Sequence, residues 1–414
     1  MSLHYNRLRV NASRLKEDFD QLARIGATPH GGVDRPAFSP SHLAARAWLR
    51  ERIIAAGLDP LIDGAGNHSA LLPSKQIHAP VFLVGSHLDS VPDGGRYDGA
   101  LGVLAGLEVL RTIQEASLPL PFQLEAIDFS DEEGTLVGLL GSRALAGSLT
   151  LHELLTPRGG RQNLLDGLAR AGLTEEGALS ARRAPGTIAG YLELHIEQGP
   201  RLIQQSAQIG VVTAIVGISS FRITFHGRAR HAGTTPMSDR LDASLGVSAF
   251  TLAVRRLIMD DFPACVANVG QIQLYPGAFN IVPAKAVLAL ECRAADEPTQ
   301  LQLEAELTEL AQAQADRFGL GLEIEFLGRH LPQPMSLHFQ QAISRAAHGL
   351  SLKTVELPSG AGHDAQSLAS FCPCGMIFVP SVDGISHAPD EYTPWDNCVN
   401  GANVLLHTLL YLTQ

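Results

Sequence analysis

The chain has 414 residues, enough for two domains that each bury a core of their own. A formal charge of −11, with no lysine- or arginine-rich block, argues against nucleic acid and anionic membrane surfaces as partners. Apolar residues make up 45% and charged residues 18%, as in a soluble globular protein. The five cysteines (Cys265, Cys292, Cys372, Cys374, Cys398) are odd in number and form no C-x-x-C pair, which suggests reduced buried thiols in a cytoplasmic protein.

The start, MSLHYNRLRVNASRLKEDF, lacks the long apolar run of a secretion signal. Residues 1–80 read as helical, then irregular. Within them SPSHLAARAWLRERIIAAGL is an amphipathic helix opened by a serine cap and closed by Gly57. VFLVG (81–85) is a short buried strand, 99–116 a helix dense in alanine and leucine, and PFQLEAIDFS (121–130) another strand. Strands alternating with such helices predict an α/β domain on a mostly parallel sheet covered on both faces. Chemistry in such sheets gathers beyond the carboxyl ends of the strands. Residues 148–188 are polar and irregular with helical pieces, and YLELHIE (191–197) resumes as a strand.

From about 212 the texture changes, and SSFRITFHG alternates as a half-exposed strand does. A helix, two strands, a helix and a strand follow, the βαββαβ order of a ferredoxin-like unit. This predicts an inserted lid and dimerisation domain over 212–328. Residues 1–211 and 329–414 then form one discontinuous metal-binding catalytic domain. The latter part reads as the helix SLHFQQAISRAAHGL, the loop PSGAGHDAQ, the strand GMIFVPS, the loop GISHAPDEYT and a final helix. Its most apolar piece, NVLLHTLLYL, is about half of a membrane span.

The strand ends carry the chemistry. SHLDSVPDGGRYDG supplies His87, Asp89 and Asp98, and SDEEG supplies Glu132 and Glu133. His195 lies near the end of its strand and His387 in a late loop. His87, Asp98, Glu133, His195 and His387 exceed what one tetrahedral ion accommodates, but two ions sharing a bridging carboxylate use them economically. Asp98, in a glycine-rich turn, is the choice for the bridge. Asp89, two residues past His87, suits the histidine's other ring nitrogen. Glu132 is the spare carboxylate, and a base must not be a ligand. Taken singly these signals are weak: H-x-D recurs by chance, and paired glutamates usually face solvent. Their joint occurrence in four strand-end or loop segments points to a metal-dependent hydrolase. His363 and Asp364 are read as stabilising their loop, and His30, His152 and His407 as ordinary residues.

GSHLDSVPDGGRYDGALGVLAG, DEEG, LELHIEQGP, HAGTTPM and GISHAPDE together resemble the signature segments of the M20-type metallohydrolases. More narrowly the chain resembles their amidase, hydantoinase/carbamoylase branch, along nearly its whole length. That branch includes N-carbamoyl-L-amino acid hydrolases, β-ureidopropionases, allantoate amidohydrolases and ureidoglycolate hydrolases. The resemblance implies one ion on His87, Asp98 and His195, a second on Asp98, Glu133 and His387, and Glu132 as base. It implies that His231 stabilises the oxyanion from across a homodimer interface. Asn280 and Arg293 would grip a substrate carboxylate, Gln198 would contact the ureide, and the backbone at Gly360 and Ala361 would meet the carboxylate. The implied reaction is hydrolysis of the ureido C–N bond of a small N-carbamoyl amino acid, allantoate or ureidoglycolate by a hydroxide bridging the ions. Zinc, manganese, nickel and cobalt all suit mixed histidine and carboxylate ligands.

One departure is visible. After Glu-Glu-Gly many relatives carry an arginine, then a phenylalanine, where this chain has Thr135, Leu136 and Val137. Three rivals stand beside the ureide reading. An aminoacylase or peptidase would share the metals and the base. A catalytically silent metal-binding protein would have no use for Glu132. A di-iron oxygenase expects Glu-x-x-His pairs on bundle helices, which the sequence does not show.

Overall fold

A computed structural model describes residues 7–76 and 78–413; residues 1–6, part of the stretch read above against a secretion signal, lie outside the described residues. The chain divides into two compact units. One runs to Thr213 and resumes at Met335, and the other is Ala214–Pro334.

The first unit is built on β1 (Asp59–Ile62), β2 (His68–Leu72), β3 (Val81–His87), β4 (Gln123–Phe129), β5 (Ile188–Ile196) and β6 (Ile209–Ile215). The second contains β7 (Gly217–His226), β8 (Val266–Tyr275), β9 (Lys285–Ala294) and β10 (Gly321–His330), and β11 (Gln333–Pro334), β12 (Thr354–Ser359) and β13 (Cys374–Val379) follow. The larger sheet has the order β1-β2-β4-β3-β5-β13-β6-β11, with β12 paired to β6. Its centre, β4-β3-β5-β13, is parallel, as the strand–helix alternation predicted. The flanks β1-β2, β2-β4 and β13-β6 are antiparallel, which the sequence pattern did not indicate. β1 and β2 have four and five residues, too few to show a period, and β2 is fixed by pairing with β4 rather than by local preference.

β3 is buried along nearly its whole length, and the helix Ala100–Glu115 against it is buried from Ala100 to Ile113. An element apolar all round sits inside a layered fold, so these two form its centre. The helix Pro40–Ala55 is capped by Ser39, which accepts the His42 N–H, and Gly57 at φ +69° turns the chain away. The register sets His87 of β3 opposite Phe129 of β4, and His195 of β5 opposite Phe378 of β13. The carboxyl ends of these strands therefore meet at one edge.

The second unit is a four-stranded antiparallel sheet, β10-β7-β9-β8, with helices Ala243–Asp260 and Glu297–Phe318. Phe221, Ile223 and Phe225 of β7 and Leu288 and Leu290 of β9 pack with Phe250, Leu303 and Leu307 of the helices. Alternate residues of the two central strands thus supply one buried face.

Candidate metal centre

His87 closes β3, and the next peptide is gripped on both sides. The Leu88 N–H donates to Asp128 Oδ1 (2.8 Å), and its carbonyl accepts from Arg35 Nε (3.0 Å). Arg46 Nε holds the other Asp128 oxygen at 2.7 Å, so a fully buried ion pair underlies the loop. His87 Nδ1 lies 3.0 Å from the Asp89 carbonyl, and His195 Nδ1 lies 2.9 Å from the Ile196 carbonyl. A carbonyl only accepts, so both Nδ1 atoms carry a proton, and in the neutral ring each Nε2 atom presents a lone pair. The Gly99 N–H, 3.3 Å from His195 Nε2, agrees with that tautomer.

Both Nε2 atoms face Asp98 Oδ1, at 3.6 Å from His87 and 3.0 Å from His195. Asp98 Oδ2 turns the other way, 3.4 Å from His387 Nε2, which is itself 3.4 Å from Glu133 Oε2. The result is two ligand groups, His87–Asp98–His195 and Asp98–Glu133–His387, in each of which the donor atoms lie within 4.8 Å of one another. Asp98 belongs to both. Gly99, at φ +62°, allows this approach, because a Cβ there would sit 2.4 Å from the His87 ring.

Sequence reasoning missed Glu391. Its Oε1 accepts the N–H groups of Tyr97 (2.9 Å) and Asp98 (3.1 Å), and its Oε2 lies 2.7 Å from Ser386 Oγ. Ser386 Oγ is in turn 3.1 Å from Asp98 Oδ2. The only signal was its place in SHAPDE, four residues after His387.

Asp89 needs a correction. Its carbonyl, not its carboxylate, meets His87, and the carboxylate is 3.9 Å from Nδ1. The carboxylate instead accepts the N–H groups of Glu132 (3.3 Å) and Glu133 (3.2 Å), holding the paired-acid loop. Spacing along a chain cannot separate a residue's side-chain acceptor from its main-chain one. Glu132 stands outside both ligand groups, with Oε2 3.6 Å from His87 Nε2. Of the divergent residues after the loop, Leu136 is buried in a core with Phe38 and Leu140, and Thr135 Oγ accepts the Ala37 N–H.

The charges follow from burial and crowding. Burial drives the Glu132 carboxyl well above its ordinary range, with Glu133, Asp364 and Asp89 adding to the rise against His87. Asp98 is held well below its range despite burial, because His195, His387 and His87 surround it. His87 is raised against burial by Glu132, Asp98 and Asp89, and His195 by Asp98 and Glu193. The bond to Asp98 raises His387 to about 9. Buried Glu133 Oε1 has no hydrogen-bond partner among the described residues. Lone pairs facing carboxylate oxygens require positive charge between them, from added protons or from cations. The mixed imidazole and carboxylate set fits borderline divalent ions.

The remaining predicted residues divide by unit. Gln198 joins the centre, with Nε2 donating to Asp98 Oδ2 at 2.7 Å and lying 3.4 Å from His387 Nε2. Gly360 is exposed, and the Ala361 N–H donates to Ser359 Oγ at 3.2 Å. His363 lies edge-on to His195, 4.5 Å between centroids, with Nε2 2.9 Å from Ser359 Oγ. It forms a third possible ligand group with Glu193 and His195, which sequence reasoning did not single out. Asp364 is fully buried, beside Ser142. In the second unit His231 and Asn280 are exposed neighbours: His231 bridges Ile281, and the Ala232 N–H donates to the Asn280 carbonyl at 2.9 Å. Arg293 stands on β9, ion-paired to Glu291 at 2.7 Å.

A sequence profile of peptidase family M20/M25/M40 matches residues 83–411. The chain is similar to the N-carbamoyl-L-amino acid amidohydrolase of Geobacillus stearothermophilus, 37% identical over 98% of this chain and 99% of that protein. It is similar to the ureidoglycolate hydrolase of Arabidopsis thaliana, 32% identical over 98% of this chain and 87% of that one. Among solved structures it resembles a hydantoinase/carbamoylase family amidase from Burkholderia multivorans, with TM-score 0.90, 35% identity and 98% of each chain covered. Among the described residues no helix is long and apolar enough to cross a membrane.

Proposed function

The chain belongs to peptidase family M20/M25/M40, among its hydantoinase/carbamoylase amidases, and from that premise we propose an amidohydrolase that uses two divalent ions to cleave the ureido C–N bond of N-carbamoyl amino acids or related ureides such as ureidoglycolate and allantoate. One observation carries this: the Asp98 carboxylate divides its two oxygens between two ligand groups, while Glu132 stays outside both. His87, Asp98 and His195 would hold one ion, and Asp98, Glu133 and His387 the other. Bound there, the ions supply Lewis acidity and make water acidic near neutral pH.

Glu132 takes the proton from the attacking water and returns it to the departing nitrogen. Its buried, raised carboxyl suits both halves of that task. Gln198 presents an amide to the ureide. For the carboxylate this reading assigns the backbone at Gly360 and Ala361 on the first unit and Asn280 and Arg293 on the inserted unit, where the Arg293 fork would exchange Glu291 for substrate. His231 donates to the carbonyl oxygen as charge develops there. Asp89 positions Glu132 through its N–H. An N-carbamoyl amino acid would give the amino acid, carbon dioxide and ammonia.

The same reading includes a homodimer in which His231 comes from the second copy. Support comes from the edge strand β8, where Val266 and Ile272 are exposed, and from Leu252 and Met259, exposed on the helix Ala243–Asp260. Light scattering of the wild type and Leu252→Lys tests this; a wild-type monomer contradicts it.

The function is tested by assaying zinc- and manganese-loaded protein on N-carbamoyl amino acids, ureidoglycolate, allantoate and N-acyl amino acids side by side. Ammonia release from one or more ureides is expected. Cleavage confined to N-acyl amino acids would overturn the ureide assignment in favour of an aminoacylase.

A further inference from the structure

We infer that Arg158 is a positioning residue for the second ligand group: its guanidinium fixes the Glu133–Gly134 main chain and so aims the Glu133 carboxylate toward Asp98 and His387. This rests on the two-ion proposal above. The segment from β4 to the helix Leu140–Ala146 has no regular secondary structure, so its shape depends on side chains that bind its backbone. Its N–H groups are held by two buried carboxylates. Asp89 takes those of Glu132 and Glu133, and Asp131 takes those of Leu136 (3.0 Å), Val137 (2.6 Å) and Gly138 (2.9 Å).

The carbonyls between those two anchors are held by Arg158. Its Nη2 donates to the Glu133 carbonyl at 2.6 Å, and its Nε donates to the Gly134 carbonyl. Nε and Nη2 form one edge of a rigid planar fork, which spans two successive carbonyls as an ammonium does not. Backbone on both sides is shaped to receive it. Gly134 is at φ +66°, and a Cβ there would lie 1.6 Å from Arg158 Nη2. The next residue, Gly159, donates its N–H to the Leu136 carbonyl at 2.8 Å, and a Cβ on it would meet the Thr135 carbonyl at 2.0 Å. The segment between helices Leu151–Leu155 and Arg161–Ala171 is thereby stitched to the paired-acid loop at three points.

Glu133 is the ligand candidate that needs this support. Its Oε1 has no hydrogen-bond partner among the described residues, so hydrogen bonds to that oxygen do not aim the carboxylate and its main chain has that task. His87 and His195, by contrast, are each locked through Nδ1.

The test is calorimetric titration of zinc into metal-free wild type, Arg158→Ala, Arg158→Lys and Arg161→Ala, with circular dichroism to verify folding. Arg161 pairs with Glu175 and serves as a control on the same segment. The expected result is two ions in wild type and in the control. In Arg158→Ala one ion should keep wild-type affinity and the other weaken about tenfold, as when a ligand loses its support. Arg158→Lys should fall between, and kcat on an N-carbamoyl amino acid should drop with KM unchanged. A folded Arg158→Ala protein binding both ions with wild-type affinity overturns the inference. If that variant does not fold, Arg158→Lys decides by the same criterion. A wild type that binds fewer than two ions overturns the two-ion proposal instead.

Discussion

The two units are held together in opposite ways. The first encloses charge: Arg35, Arg46, Asp128, Asp131, Glu193 and Asp364 are all buried. The second has an almost wholly apolar core, with Ser219, Thr224, Gln300 and Glu304 as its buried polar groups among the described residues. Its ion pair Arg222–Glu325 lies on the surface, with both side chains about half exposed. Buried charge is expensive and is retained where it positions something. In the first unit several of these groups hold loops at the strand ends, as Arg35 and Asp128 hold the Leu88 peptide and Asp131 the paired-acid loop, whereas buried Asp18 and Arg111 join two helices. Among the described residues the second unit buries one charged side chain, Glu304, which meets Ser219 and Arg329; its unusual feature is apolar surface along β8 and the neighbouring helix.

The largest expected effect bears on what the first unit's charges are for. Glu132→Gln should lower kcat by about a thousandfold, within the range for losing a general base. KM and metal content should stay near wild type. Steady-state kinetics with metal analysis checks this; undiminished turnover would remove Glu132 as the base, and a wild type with no turnover on any substrate would return the chain to a silent metal binder.

Next comes the cost of breaking charge inside one unit and outside the other. Arg46→Met strands Asp128 and should destabilise the first unit by about 3–5 kcal/mol. Arg222→Met should cost less than about 1 kcal/mol. Urea unfolding followed by hydrogen exchange in peptides of each unit reads both, and equal effects would erase the contrast.

The smallest effect is that of pH. Burial, with Arg46 and Arg35 nearby, holds His42 well below its ordinary value, and burial lowers His68 to about 3. In the unfolded chain both titrate near 6.5, so below that pH the unfolded state binds more protons. Stability from this source is full above about 6.5 and is lost as pH falls toward the folded values. Hydrogen exchange between pH 7 and pH 5 should therefore show protection falling first around β2 and the helix Pro40–Ala55. Loss beginning in β7–β10 would contradict it.

Much of this was legible in the sequence because the chemistry sits on long, periodic elements. β3 and β5 announce themselves as apolar runs, and the ligand candidates follow directly at their ends. Less legible was whatever depends on main-chain partners. Asp89 looked like a side-chain partner of His87, yet its carbonyl has that role and its carboxylate binds the next loop. Glu391 and Arg158 act through backbone N–H and C=O groups, which carry no residue code. The antiparallel flanks were missed because β1 and β2 are short and take their form from β4.

The most direct test of the centre is to count zinc in purified, folded wild type and Asp98→Ala by equilibrium dialysis. A carboxylate shared between two ligand groups predicts two tightly held ions in the wild type and loss of both from the single substitution. A variant that still holds one ion at wild-type affinity would contradict a shared Asp98.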